Sequence, residues 1–328
     1  MKLPAAEHPL DQATAEAVFA GIFDGLADRA DLTRFLTTLA TRGESVTEVT
    51  AAARMLRARA TPISAPLHAI DVCGTGGDGR HTLNVSTAVA IVVAACGVPV
   101  AKHGNRAASS KSGAADVLDA LGLRTDIHAA QVEQQLATLG IGFLHAARHH
   151  GAMAHVAPAR RAMNTRTIFN LLGPLANPAG VTRQLVGVYD ARWLQPIAEV
   201  LRELGSDAAM VVHGSDGIDE LTVTGPSGFA RLHDGVISSG TVTPETAGLS
   251  RHAADALTGG DAAFNAKALL DLLDGASGAY RDIVVLNTAA ALLVAHGGTD
   301  WRAAAAQAAT AIDSGAARAL LARWRKFA

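Results

Sequence analysis

The chain has 328 residues, 49% hydrophobic and 18% charged, with a formal net charge of −2. That length predicts one large domain with a smaller companion, and the composition excludes disorder. The near-neutral balance offers no basis for a nucleic-acid or membrane surface.

Only 4% of residues are aromatic, so Ala, Val, Leu and Ile must fill the core. The two cysteines, Cys73 and Cys96, each sit in an apolar run and read as buried free thiols of a cytoplasmic protein. Residues 1–30 show no basic segment followed by an apolar one, so no signal peptide is expected. The longest apolar run, Ala88–Cys96, is too short to span a bilayer.

Residues 11–60 read as three or four amphipathic helices. Val18, Phe19, Ile22, Phe23 and Leu26 share one face, and Leu32, Phe35, Leu36 and Leu39 another. Asp31 suits an N-cap, and Ser45 with Glu48 has capping-box spacing. Phe19 and Phe23 read as core or dimer-interface residues rather than ligand contacts. The stretch Ala60–Pro66, with its two prolines, predicts a linker.

From His68 the pattern changes to alternating strand and helix. Strands are expected at His68–Cys73, Val98–Ala101, Ile141–Leu144, Gln184–Tyr189 and Ala208–His213. Helices are expected from Ser86 or Thr87 to Cys96, then over Gly113–Leu121, Gln131–Leu139, Ala146–Met163 and Arg192–Leu204. Thr167–Gly180 reads as a tight loop region, Gly217–Gly225 as a loop, and the last sixty or so residues as Ala- and Leu-rich helices. This order predicts an α/β fold with a mainly parallel central sheet flanked by helices, beside a smaller all-helical domain. Ligands of such sheets bind at the carboxyl ends of the strands.

Two loops fall on that edge. The first, Gly74–Asn84, satisfies G-x-G-x-x-G at Gly74, Gly76 and Gly79; the second runs Lys102–Ser112. No acidic residue lies between Asp78 and Asp116, whereas Arg80, His81, Lys102, His103, Arg106 and Lys111 do. Glycine-rich turns, helix N-termini and uncompensated cations are what a phosphate site requires. A dinucleotide fold needs an acid about twenty residues beyond the loop, and none is there. A P-loop needs a Gly-Lys-Ser/Thr sequence, also missing. A phosphorylated sugar or diphosphate across both loops fits better. Gly74–Gly77 would admit it to the backbone, Asn84, Ser86 and Thr87 would cap the next helix and bind oxygens, and Lys102 would supply charge.

The segments Gly74-Thr-Gly-Gly-Asp78, Asn84-Val-Ser-Thr87, Lys102-His-Gly-Asn105 and Ser112-Gly-Ala-Ala-Asp116 occur in order. Arg166-Thr-Ile-Phe-Asn170, Gly173-Pro-Leu-Ala-Asn177-Pro and Asp219-Glu220 follow. Jointly they resemble the anthranilate phosphoribosyltransferase family over nearly the whole chain, with a more distant similarity to pyrimidine nucleoside phosphorylases. The resemblance implies transfer of a 5-phosphoribosyl group from phosphoribosyl diphosphate to the amine of anthranilate, in tryptophan synthesis. It assigns the donor to Gly74, Gly77, Asp78, Thr82, Asn84, Val85, Ser86, Thr87 and Ala114. The donor set also includes the loop Lys102, His103, Gly104, Asn105, Arg106, Ala107, Ala108, Ser109 and Ser110. Anthranilate falls to Gly74, Asn105 and Arg160, and Mg2+ to Ser86, Asp219 and Glu220. It further implies a helical domain over 1–66, joined by about 160–183, and an α/β domain over 67–159 and 184–328. The active site would lie in the cleft between them, and a homodimer would form through the N-terminal helices.

No dedicated general base is expected, because an arylamine is already a neutral nucleophile. Departures from the family pattern lie on the acceptor side: His145, Gly151 in place of proline, and Met163-Asn164 before the Arg166 motif. The histidines His145, His149, His150 and His155 lack a nearby Cys or acid to complete a zinc set. Trp301 and Trp324 read as packing residues. The alternatives are a pyrimidine nucleoside phosphorylase-like enzyme, a related phosphoribosyltransferase with a different aromatic acceptor, and a non-catalytic nucleic-acid binder on the same fold; the last needs a basic surface this composition does not supply.

Overall fold

The computed structural model describes residues 1–107, 111–163 and 165–327. The helices α1 (Gln12–Phe23), α2 (Arg29–Arg42) and α3 (Val46–Arg57) come first. Ser45 and Glu48 close the expected capping box on α3. The N-cap of α2 is Asp28, whose carboxylate takes two backbone amides, and Asp31 instead lies in the first turn paired with Arg34. Phe19 and Phe23 are fully buried core residues, whereas Leu26 lies beyond α1 and is 58% exposed.

The α/β part then runs β1 (Ile70–Gly74), α4 (Val85–Ala95), β2 (Val100–Gly104), α5 (Ala114–Ala120), α6 (Ala129–Leu139) and β3 (Ile141–His145). Short helices α7 (Ala146–His149), α8 (Ala157–Met163) and α9 (Leu172–Leu175) lead to β4 (Arg183–Gly187), α10 (Leu194–Glu203) and β5 (Ala208–Gly214). A hairpin, β6 (Ser227–His233) and β7 (Val236–Val242), precedes α11 (Ala262–Leu273), α12 (Ala279–His296), α13 (Trp301–Asp313) and α14 (Ala316–Lys326). No helix among the described residues is by itself long and apolar enough to cross a membrane.

The seven strands order as β3-β2-β1-β4-β5-β6-β7, with the first five parallel and the hairpin antiparallel. The chain builds outward from β1 to β3, then returns to β1 and builds the other way through β4. Loops leaving β1 and β4 therefore diverge, and a crevice opens at their carboxyl ends.

Strand residues alternate between two cores. Ile70, Val72, Leu185, Met210 and Val212 face α4, α5 and the C-terminal helices, while Cys73, Val186, Ala209 and Val211 face α1–α3, α8, α9 and α10. Trp324 is buried with its indole N–H on Gln135 Oε1, and Trp301 packs beside Phe229.

Two expected elements also differ from the structure. Strand β2 continues through Lys102, His103 and Gly104, which pair with β3 rather than opening a loop. The apolar-run criterion stopped short there because Lys102 and His103 are polar yet buried. The helical stretch Ala146–Met163 is broken into α7, a 3-10 turn at Gly151–His155, and α8. The β6–β7 hairpin, for which no element is expected from the sequence, turns at Asp234-Gly235, both at positive φ, a two-residue turn signal.

Candidate active site

The site is built around the loop after β1. Thr75 donates its amide to the Gly187 carbonyl (2.9 Å), and its hydroxyl accepts from the Tyr189 amide (3.0 Å). Gly76 donates to Asp219 Oδ2 at 2.7 Å. Gly76, Gly77 and Gly79 all take positive φ, which side-chain-bearing residues resist. Gly74 and Gly187, paired across β1 and β4, serve a different end. A Cβ at Gly74 would stand 2.3 Å from Asp219 Oδ2, and one at Gly187 only 1.5 Å from the Asp219 carbonyl. Their bareness lets the loop carrying Asp219 and Glu220 lie directly on the strand ends.

That approach assembles carboxylates. Asp78, Asp219 and Glu220 each place an oxygen within 4.8 Å of the others. Burial, then the neighbouring acids, raises the Asp219 and Glu220 carboxyls above the ordinary range. Glu220 Oε2 is buried without a hydrogen-bond partner. Such an all-oxygen, mutually repelling set fits a hard cation such as magnesium. Ser86 lines the same small cavity, of about 10 Å³, with Asp219 and Glu220. The expected triad lacked Asp78, which enters the cluster only through the fold of the glycine loop.

Lys102 is buried, and its Nζ donates to the Val72 carbonyl (2.7 Å) and to Ser86 Oγ (3.2 Å). Burial pulls its pKa down against the opposing pull of Asp71. Its charge thus sits beneath the acidic cluster, held by strand and helix, rather than on an exposed loop.

The N-terminus of α4 faces this centre without a side-chain cap. The expected Asn84 cap does not form; its amide donates to the Ser112 carbonyl and accepts from Asn265. The α4 amides near Ser86 and Thr87 are therefore left for a ligand. Val85 is buried in the core, and Thr82 pairs with Thr258.

In the second loop, Asp116 takes the amides of Ala107 and Gly113 and the guanidinium of Arg106, which also pairs with Asp119. Arg106 is thus engaged with two acids of the following helix, α5. Gly104 packs against Phe143 and Ala114, where a Cβ would stand 2.8 Å from the Phe143 ring. Asn105 Oδ1 accepts from the Arg106 amide, and its carbonyl from Ala115. Ala108, Ser109, Ser110 and Asn164 lie outside the described residues.

At the end of β2, His103 stacks edge-on to His150 (5.1 Å) and bonds the Gly173 carbonyl through Nδ1 (3.0 Å). Burial drops the two imidazoles to about 3 and about 4 respectively, so both are neutral. His103 Nε2 is buried without a partner. Sequence spacing could not show that pairing, because the two histidines come from different elements. Arg160 lies on α8 with its guanidinium carbon 5.8 Å from the Phe169 ring centre. His145 tilts against Phe143, His149 bonds the Thr61 carbonyl, and His155 abuts Gly25, so the four histidines face different partners.

The two halves of this architecture match two family models. The helical bundle domain of a glycosyl transferase family covers residues 4–60, and the a/b domain of the same family covers residues 67–318. The chain therefore belongs to that glycosyl transferase family. Among curated proteins, the anthranilate phosphoribosyltransferase of Novosphingobium aromaticivorans is 56% identical over 98% of both chains. That of Rhodospirillum rubrum is 56% identical over 97% of this chain and 92% of its own. The solved anthranilate phosphoribosyltransferase of Thermus thermophilus superposes with a TM-score of 0.93 at 39% identity, over 98% of this chain and 96% of that one. The Saccharomyces cerevisiae enzyme, solved with phosphoribosyl diphosphate and magnesium, gives 0.90 at 26% identity, over 99% and 95%. Within its family the chain falls among the anthranilate phosphoribosyltransferases.

Proposed function

We propose that the chain transfers the 5-phosphoribosyl group of phosphoribosyl diphosphate to the amine of anthranilate. The C1–O bond to diphosphate breaks, the C1–N bond forms, and the amine proton leaves with solvent or diphosphate. The observation that carries this reading is the meeting of the uncapped α4 terminus with the Asp78–Asp219–Glu220 cluster at one strand edge. A diphosphate carrying a divalent cation engages both features, whereas a lone anion would be repelled by the acids.

In this reading the donor lies on Gly74, Gly77, Asp78, Thr82, Asn84–Thr87, the Lys102–Ser110 segment and Ala114. Asp219, Glu220 and Asp78, with Ser86, would hold magnesium, whose chemistry when bound is neutralisation of the diphosphate leaving group. The chain's own contribution is positional. Backbone amides of the glycine loop and α4 hold the donor, and Lys102 adds fixed charge below it. Anthranilate contacts Gly74, Asn105 and Arg160, and the neutral His103–His150 pair borders it. Aligning amine and C1 in a closed cleft supplies much of the rate. No general base is included.

The cleft is taken to lie between a helical unit, residues 1–66 with about 160–183, and the α/β remainder. A homodimer through the N-terminal helices belongs to the same proposal. The cytoplasm is the compartment that suits the two free thiols.

The test is loss of anthranilate fluorescence on incubation with phosphoribosyl diphosphate and Mg2+. No turnover by folded protein overturns the reading, and phosphorolysis of a pyrimidine nucleoside under matched conditions would replace it.

A further inference from the structure

Arg166 stands between α8 and the turn at Ile168–Asn170, yet its side chain reaches a loop 89 residues earlier. One Nη donates to the Gly77 carbonyl, and the guanidinium carbon lies 4.3 Å from the centre of the Tyr189 ring. Trp193, buried at the start of α10, donates its indole N–H to the Tyr189 hydroxyl at 3.0 Å and so holds the ring. The Tyr189 amide in turn donates to Thr75 Oγ1 at 3.0 Å. One tyrosine therefore grips the glycine loop twice, through its amide at Thr75 and through the arginine on its ring at Gly77. No carboxylate among the described residues pairs with Arg166. A planar fork that stacks and donates at once is what the position uses, and lysine offers only the second.

A loop with glycines at three of four consecutive positions, 76, 77 and 79 among them, has high conformational entropy when free. Thr75 is anchored by β4 and Tyr189, and Gly76 by Asp219. Gly77 is the next residue out, and Arg166 supplies its anchor.

We propose that Arg166, seated on Tyr189, is a positioning residue that fixes the glycine loop at Gly77 and so preorganises the amides that receive the diphosphate donor. The inference rests on the donor reading above. Ordering the loop before binding removes a cost otherwise met when the donor arrives, so its signature is in donor affinity.

Two measurements test it, one of which needs no substrate. Arg166 is exposed, so Arg166→Gln should fold. In the substrate-free protein, amide exchange in the peptide spanning 74–80 is expected to quicken several-fold. In steady-state kinetics the KM for phosphoribosyl diphosphate is expected to rise about tenfold, with kcat and the KM for anthranilate within about twofold. Tyr189→Leu removes the platform and should behave alike, whereas Tyr189→Phe keeps the ring but loses the Trp193 bond that holds it, and should fall between wild type and Tyr189→Leu. Raised KM with unchanged exchange would mean that Arg166 touches the donor directly, and would overturn the clamp. Faster exchange with unchanged KM, equal rises for both substrates, or no change in either would also overturn it. If the wild-type protein fails to turn over, the donor reading falls, while the exchange measurement still reports on the clamp by itself.

Discussion

Replacing Asp219 with asparagine should stabilise the metal-free protein while destroying its response to magnesium. Two unit charges 4.8 Å apart, the limit that bounds the Asp78–Asp219–Glu220 cluster, repel by about 3 kcal/mol at an effective dielectric of about 20. Asp219 takes part in two of the three pairs. Lys102 offsets part of that, and partial protonation relieves more, so a net gain of about 1–3 kcal/mol is expected. Asparagine still offers an oxygen to the Gly76 amide, so the loop contact survives. The sign with pH follows from the raised Asp219 carboxyl. A folded-state pKa above the unfolded one favours folding at low pH, and that advantage is lost as pH rises through the folded value. The variant's advantage should therefore grow from about pH 4 to about pH 6 and level off above it. Thermal melts in chelator should show the variant higher by several degrees at pH 8, at roughly 2 °C per kcal/mol. Added Mg2+ should raise the wild-type midpoint and leave the variant's unmoved, and turnover should fall about a hundredfold or more. A variant less stable than wild type in chelator, or one that still responds to Mg2+, would refute the argument.

Other consequences follow from the same geometry. Gly187→Ala sets a Cβ 1.5 Å from the Asp219 carbonyl and should cost about 3 kcal/mol or more, with loss of activity, whereas Gly173→Ala, with nothing within 4 Å, should melt near wild type. His150, buried at about 4 against an ordinary 6.5, contributes stability above the unfolded value that is lost as pH falls towards the folded one. By that linkage His150→Gln should recover about 2 kcal/mol relative to wild type between pH 7 and pH 5, read from paired urea titrations. Asp116→Asn should weaken the hold on Arg106, Ala107 and Gly113 and raise the donor KM several-fold, measured with anthranilate saturating. Sedimentation velocity should give a dimer, and a monomer would remove that part of the proposal.

The sequence by itself determined the βα alternation, the two loops at the strand ends, the lack of an acid for a ribose hydroxyl, and the Ser45–Glu48 cap. Each depends on residues close in the chain, where period, spacing and capping chemistry act. Its local rules misjudged positions whose environment is set from afar. Asn84 looks like a helix cap, but Asn265 and the Ser112 carbonyl claim its amide. Lys102 looks like a loop cation, but the β1–β2–α4 packing buries it on Val72 and Ser86. Only the tertiary structure decided that Asp78 joins Asp219 and Glu220, that His103 meets His150, and that Arg166 reaches Gly77. The physical reason is the same in each case. These contacts join segments distant along the chain, brought together where β1 and β4 diverge, and bare glycines at 74 and 187 let the acidic loop settle onto the strand ends.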